Sequence, residues 1–172
     1  MTKQRILLIC LVGLLIFGSL LGGKFIYQKK WVDSTILTQS QQIPGVTSAK
    51  IITNDGLKEM VVVIDHLTNL RQASQTLKEL SGDVPIRFID RKNQSLEKLF
   101  AQIQFAIQEG IARGNFTEMA QNVRIQAREA NVELVLEMDN DAIYVIMNQG
   151  DAQLVEVIER NGQEKFLPTE KE

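Results

Sequence analysis

The chain has 172 residues, 44% hydrophobic and 23% charged, ordinary proportions for a folded protein. Five of its 19 basic residues, Lys3, Arg5, Lys24, Lys29 and Lys30, lie in the first thirty positions, where no acid occurs; residues 31–172 carry 14 basic and 21 acidic residues, a formal charge of −7. That acidity argues against nucleic acid, which is held by clustered Lys and Arg, and the sole cysteine, Cys10 inside an apolar run, leaves the rest of the chain without disulfides or thiol chemistry.

After a short tail (1–5), Ile6 to Gly23 reads ILLICLVGLLIFGSLLGG, 18 residues without a charge. Extended through KFIY to residue 27, it matches the roughly 20 residues needed to span a bilayer. No pair of small residues marks a peptidase cut, and Cys10 lies too early to accept lipid, so we expect the run to stay as a single-pass signal-anchor. Tyr27 and Trp31 suit the interface, and Lys29 and Lys30 suit headgroup contact. The flanking charges are nearly balanced; an uncleaved signal-like segment usually exports the chain on its C-terminal side, so the C-terminal domain is expected outside the cytoplasm. Gly18 and Gly22 form a G-x-x-x-G pair, repeated one step on by Ser19 and Gly23. This spacing puts small residues on one helical face and makes these four the candidates for anchor dimerisation.

Residues 28–43 read as a juxtamembrane helix or stalk, stopped by Ile43–Pro44–Gly45. Two β-branched runs, VTSAKIIT and KEMVVVID, then flank Asn54–Asp55–Gly56, which predicts a hairpin. In TNLRQASQTLKELSG, Thr68 or Asn69 can cap a helix, Leu70, Ala73, Leu77 and Leu80 share one face, and Gly82 ends it. Val84, Ile86 and Phe88 line one side of a third strand. The first lobe, 44–92, thus has the order αββαβ once the preceding helix is included.

A second lobe is expected over 93–168. One helix, capped at Ser95, carries the stripe Leu96, Leu99, Phe100, Ile103 and Ile107. After Gly114 a second helix carries Phe116, Ala120, Val123 and Ala127, with Asn115 and Glu118 spaced as a capping box. NVELVLEMD alternates, with Val132, Leu134, Leu136 and Met138 on one side and Glu133 and Glu137 on a wet side. AIYVIM and LVEVIER complete an antiparallel meander on which the two helices pack. A short last strand is possible after Asn161–Gly162, and 169–172 is expected to fray. The fold class is therefore α+β.

Chemistry is sparse. His66, the only histidine, follows Asp65 at a strand end and reads as a solvated loop residue. One His and one embedded Cys exclude a soft-ligand zinc site. Glu137, Asp139, Asp141 and Asp151 fall near hairpin ends and provide hard oxygen ligands, a calcium or acid–base candidate; the EF-hand spacing is absent and Asp139–Asn140–Asp141 reads more simply as a turn. Sugar-cleaving sites usually need aromatic walls, which one Trp and two Tyr do not supply. The sequons at Asn93 and Asn115 read as helix-cap chemistry. No catalytic residue, metal site or cofactor is expected.

From Trp31 to Gly114, IPGVTSAKIITNDGLKEMVVVID with a helix, a strand and a further helix after it resembles the small αββαβ ring-building modules of sporulation and secretion-channel proteins. It is similar also to the YhcN/YlaJ-type sporulation lipoproteins, although no lipid-accepting cysteine is present and the meander from Val132 to Arg160 matches neither pattern. The resemblance implies a non-enzymatic bacterial envelope module that packs against copies or protein partners. Val46, Ala49 and Ile51 are then the interface candidates, or equally core residues. The alternatives are an extracytoplasmic enzyme or calcium-binding protein using Glu137, Asp139 and Asp151, and a cytoplasm-facing regulator of a membrane complex.

Overall fold

A computed structural model describes residues 36, 38–54, 56–160 and 165–171. The fold is α+β with two sheets. Residues 36 and 38–40 are helical, and Ile36 is already in the core. Strands β1 (Val46–Asn54) and β2 (Leu57–Ile64) form the expected antiparallel hairpin, with Gly56 in its turn at φ +83°. Helix α1 (Leu70–Ser81) follows, capped by Asn69, whose side chain accepts from the backbone N–H of Gln72, and closed at Gly82. It leads to β3 (Ile86–Asp90), parallel to β2. Leu70, Ala73 and Leu77 lie at 0–1% exposure, as the stripe required.

Helix α2 (Gln94–Arg113) is capped by Asn93, one sequon, rather than by Ser95: the Asn93 oxygen accepts from Leu96 N–H at 2.8 Å. Helix α3 (Phe116–Glu129) starts at the other sequon, but Asn115 makes no backbone cap. Its Nδ2 donates to Glu118 at 2.9 Å instead, so the capping box closes side chain to side chain. Strands β4 (Glu133–Met138), β5 (Ala142–Gln149) and β6 (Ala152–Glu159) form the antiparallel meander.

The chain end departs from expectation. Strand β7 (Phe166–Lys171) includes the residues expected to fray, and it pairs parallel to β3 in the first sheet, giving the order β1-β2-β3-β7. Phe166 stacks on Phe88, with ring centroids 6.0 Å apart, and this apolar contact is what draws the segment across. Pro168 is tolerated there because β7 is an edge strand with a register shift.

The wet side expected for β4 keeps Glu133 exposed and Glu137 half-buried, but it does not continue into β5. Ile143, Val145 and Met147 face α2 and α3, while Ala142, Tyr144 and Ile146 face α1 and the first sheet. Six consecutive residues of β5 are therefore buried, and the two lobes share a core. Val135 joins the same first core from β4, and Met138 is 37% exposed instead of inward.

The helical hairpin α2–α3 depends on a close approach the stripe did not reveal. A Cβ at Gly110 would lie 2.6 Å from the Met119 Cβ and 2.7 Å from its Cγ, so the two backbones fit together only because Gly110 has no side chain. Replacing Gly110 with Ala should lower stability by about 1–3 kcal/mol through overpacking. Helix propensity alone would raise it by up to about 1 kcal/mol. Chemical denaturation separates the two; an unchanged or higher midpoint would show that the helices can spread.

Candidate functional site

Sheet edges are where this fold can offer an unsatisfied surface, and its second sheet treats its two edges differently. At the middle of β6 the outward backbone groups of Val155 are taken up. Val155 N–H donates to Asp90 Oδ2 at 3.0 Å, and Val155 C=O accepts from the Thr169 hydroxyl at 2.7 Å. Asp90 ends β3 and Thr169 lies in β7, so two side chains of the first sheet supply what a neighbouring strand would. Two residues earlier, the buried Gln153 accepts from Leu67 N–H at 2.8 Å and donates to Leu67 C=O at 2.9 Å. Gly45, at φ +88°, passes so near that a Cβ would lie 2.7 Å from Leu67 Cα. Loop, hairpin entry and second sheet are thus packed together.

At the opposite edge, β4 pairs only with β5 among the described residues, and none of its six residues is buried. Beside the β4 start, between it and the C-terminal half of α3, opens a groove of about 600 Å³. Arg124 and Arg128, one helical turn apart and exposed, line one wall; Asn148, Gln149 and Glu133 line another. The volume falls in the range of about 300–1,000 Å³ common to ligand sites. Asn131, at φ +54°, forms the bend between helix and strand.

The sealed edge contains the perturbed acids. Asp90 is fully buried, and burial pushes its carboxyl up to about 6, against the pull of the Val155 and Lys92 N–H groups and the Lys92 charge. Glu156 accepts from Thr169 N–H, and burial pushes it up to about 7, with the Asp90 charge adding to the rise. Lys92 donates its ammonium to Thr169 C=O. The group is a joint between sheets, roofed by protein, and none of its members lines the groove.

The sequence-derived candidates fall elsewhere. Gly18, Ser19, Gly22 and Gly23, with the span 6–27, lie outside the described residues. No described helix is long and apolar enough to cross a membrane. Val46 and Ala49 are buried at 7% and 2%, and Ile51 packs half-buried on the same core, so their side chains are interior in this fold. A register shift between Val46 and Ser48 is what turns Val46 and Ala49, three apart, onto one face.

The carboxylates do not converge. Glu137 pairs with Tyr144, whereas Asp151 follows the far end of β5 at Gln149, about 17 Å along the strand. Asp139 is a turn residue: its carboxylate accepts from the N–H groups of Asp141 and Ala142 and from the Tyr144 hydroxyl, at 2.8–2.9 Å. Burial raises its pKa, and these bonds together with one from the Gln75 side chain outweigh it and hold the group below its ordinary value. Among the described residues no three His, Cys, Asp or Glu side chains are grouped to hold a metal ion. His66 sits in the loop after β2 at φ +51°, with its ring 60% exposed, beside Asp65, which Arg91 also holds at 3.2 Å.

Sequence reasoning missed the groove and the β6 joint. Arg124 and Arg128 carry a weak signal, an i,i+4 basic pair flanking the apolar stripe; the joint carries none, because Asp90 and Val155 are 65 residues apart. No family model, no curated protein and no solved structure matches the chain.

The joint makes a pH prediction. Both acids have folded-state pKa values above their ordinary ones of 3.8 and 4.5, so the folded state holds more protons in that window. Their contribution to stability is fully present below the ordinary values and is lost as pH rises through about 6 to 7. Thermal melting should show the wild type losing stability across this window. The double variant Asp90→Asn, Glu156→Gln, which keeps acceptors for Val155 and Thr169, should have a flatter profile. Parallel profiles would show that the acids do not titrate with folding.

Proposed function

We propose that this chain is a single-pass, membrane-anchored envelope protein that acts non-enzymatically, by protein binding or assembly. The carrying observation is the asymmetry of the second sheet: its β6 edge is sealed by Asp90 and Thr169, while its β4 edge stays unpaired, among the described residues, beside an open groove. Unpaired edges accept strands from other chains. The β1 edge is the weaker candidate, because its register shift twists it and Lys50 projects from it.

The apolar run 6–27 supports the anchoring, through membrane lipid, and the export-favouring character of such a run supports an extracytoplasmic domain. Confinement to a membrane plane raises the effective concentration of the domain, so a weak edge contact suffices. The resemblance of residues 31–114 to ring-building and YhcN/YlaJ-type modules favours a sporulation- or secretion-related assembly with copies of the chain or another protein. The alternative of a carboxylate-based enzyme or calcium site is not favoured, because Glu137 pairs with Tyr144 in the first half of β5 while Asp151 lies beyond its far end.

Two measurements test this reading. A photoreactive residue at Met138, the exposed end of β4, should give discrete crosslinked bands when intact cells carrying the full chain are irradiated, and one at Gln121 on α3 should not. Equal, diffuse crosslinking from both positions would remove the β4 edge as a contact. In the same cells Ser34→Cys should react with a membrane-impermeant maleimide before lysis. Reaction only after lysis would place the domain in the cytoplasm and make a cytoplasm-facing regulator the better reading.

Self-association through the anchor has its own check. Replacing both Gly18 and Gly22 with Ile should reduce crosslinked dimer without releasing the chain from membranes. Unchanged dimer yield would remove the anchor contact.

A further inference from the structure

The hydrogen-bond network around the groove dictates what chemistry it can accept. Asn93 caps α2 with its side-chain oxygen, taking the Leu96 N–H at 2.8 Å. Its other amide atom is therefore the nitrogen, which donates to Gln149 Oε1 at 3.3 Å. Gln149 is thereby oriented too: its oxygen is turned to Asn93, and its Nε2 hydrogens are at the other end of the amide. The same logic runs through Gln153. Its oxygen accepts from Leu67 N–H, so its nitrogen donates, and one of its acceptors is Asn148 Oδ1 at 2.8 Å. Asn148 is again left with an N–H₂ group. Backbone amides that cannot change character have thus oriented both side chains, Gln149 on the α2–α3 face of β5 and Asn148 on the opposite face with Gln153.

The opposite wall adds two donors. Arg124 and Arg128 lie four residues apart on α3, on one face of the helix, so both guanidiniums reach the same space. Against Arg124, Arg128 and the Gln149 amide stands one acid, Glu133. A donor-rich groove on a domain of formal charge −7 is a local exception to the surface around it. Beside it runs the outer backbone edge of β4, which alternates N–H and C=O and is complemented by another strand rather than by a bare anion. The Glu133 carboxylate also opposes the dense charge of a phosphate chain or an anionic bilayer.

We propose that this groove binds an extended acidic peptide segment, which adds as a strand to the outer edge of β4 and places its carboxylates on Arg124 and Arg128. This deepens the binding function above and rests on that reading of β4. Bidentate Arg–carboxylate pairing gives the selectivity, and the strand ladder gives register.

The test uses the full chain in lipid nanodiscs and two fluorescent six-residue peptides, one alternating Thr and Glu, the other Thr and Lys. Anisotropy should show binding of the Thr–Glu peptide alone. The variant R124Q/R128Q, altered at exposed positions that leave the core untouched, should weaken it at least tenfold. Hydrogen exchange at β4 amides should slow when the peptide is bound. Equal binding of both peptides, or no effect of R124Q/R128Q, would overturn the proposal. So would unchanged β4 exchange with a bound peptide, which would mean charge capture without strand addition. Tighter binding of polyphosphate, or of phosphatidylglycerol vesicles, than of the Thr–Glu peptide would replace the peptide with a phosphate ligand. Failure of the peptide with crosslinking at Met138 intact would sink this proposal and leave the broader binding function standing.

Discussion

Val155 is the point on which the architecture turns. It lies in a strand whose inner edge is paired with β5, and its outward N–H and C=O face protein instead of water. A buried, unpaired backbone group costs about 1–3 kcal/mol. Asp90 and Thr169 remove that cost for both groups. They can do so only if β3 and β7 are adjacent and end at this place, so the parallel pairing of a strand at 86–90 with one at 166–171 and the closure of the second sheet are one constraint. The arrangement leaves a buried carboxyl, which is why Asp90 holds its proton more tightly than an ordinary aspartate.

The constraint also explains how two sheets share one core. With β6 sealed against the first sheet, the second sheet stands between α1 on one side and α2–α3 on the other, and β5 becomes apolar on both faces. Antiparallel sheets commonly keep one solvated face; the central strand of this one does not. What remains open is its far edge, β4, next to α3. The same Gln153 that fastens Leu67 also holds the Asn148 side chain, at the end of β5 that borders the groove.

Much of the local structure is readable from residue order. Asp55–Gly56 between β-branched runs locates the first hairpin, Asn69 and Gly82 bound α1, and the apolar stripes of α1 and α2 match the buried positions except Leu80 and Phe100, which are half-buried at their margins. The failures share a cause. Met119 escapes the α3 stripe because its inward position depends on Gly110 of another helix. Met138 is misplaced, and the side of β4 that carries Glu133 and Glu137 also packs Val135 on the core, because alternation reports that a strand has two unlike faces, not what covers each. Thr169–Lys171 reads as a fraying end, and the short strand before it has no visible partner, because nothing near it in sequence shows that Phe88 waits in β3. The carboxylates near the hairpins look like a cluster because strand length, which separates Glu137 from Asp151, is invisible until the register is known.

By itself, the sequence determined the α+β class, the presence of an 18-residue uncharged run ahead of an acidic domain, the absence of thiol chemistry from that domain, and most helix and strand positions. These rest on periodicity, capping and turn chemistry, which act over a few residues. The tertiary structure alone decided which strands are neighbours, which edge is sealed, where Asp90 and Glu156 lose their water, and that Arg124 and Arg128 face Asn148 and Gln149 across a groove. Those outcomes depend on satisfying backbone groups and burying apolar faces between segments tens of residues apart, and no local pattern encodes which distant segment supplies the partner.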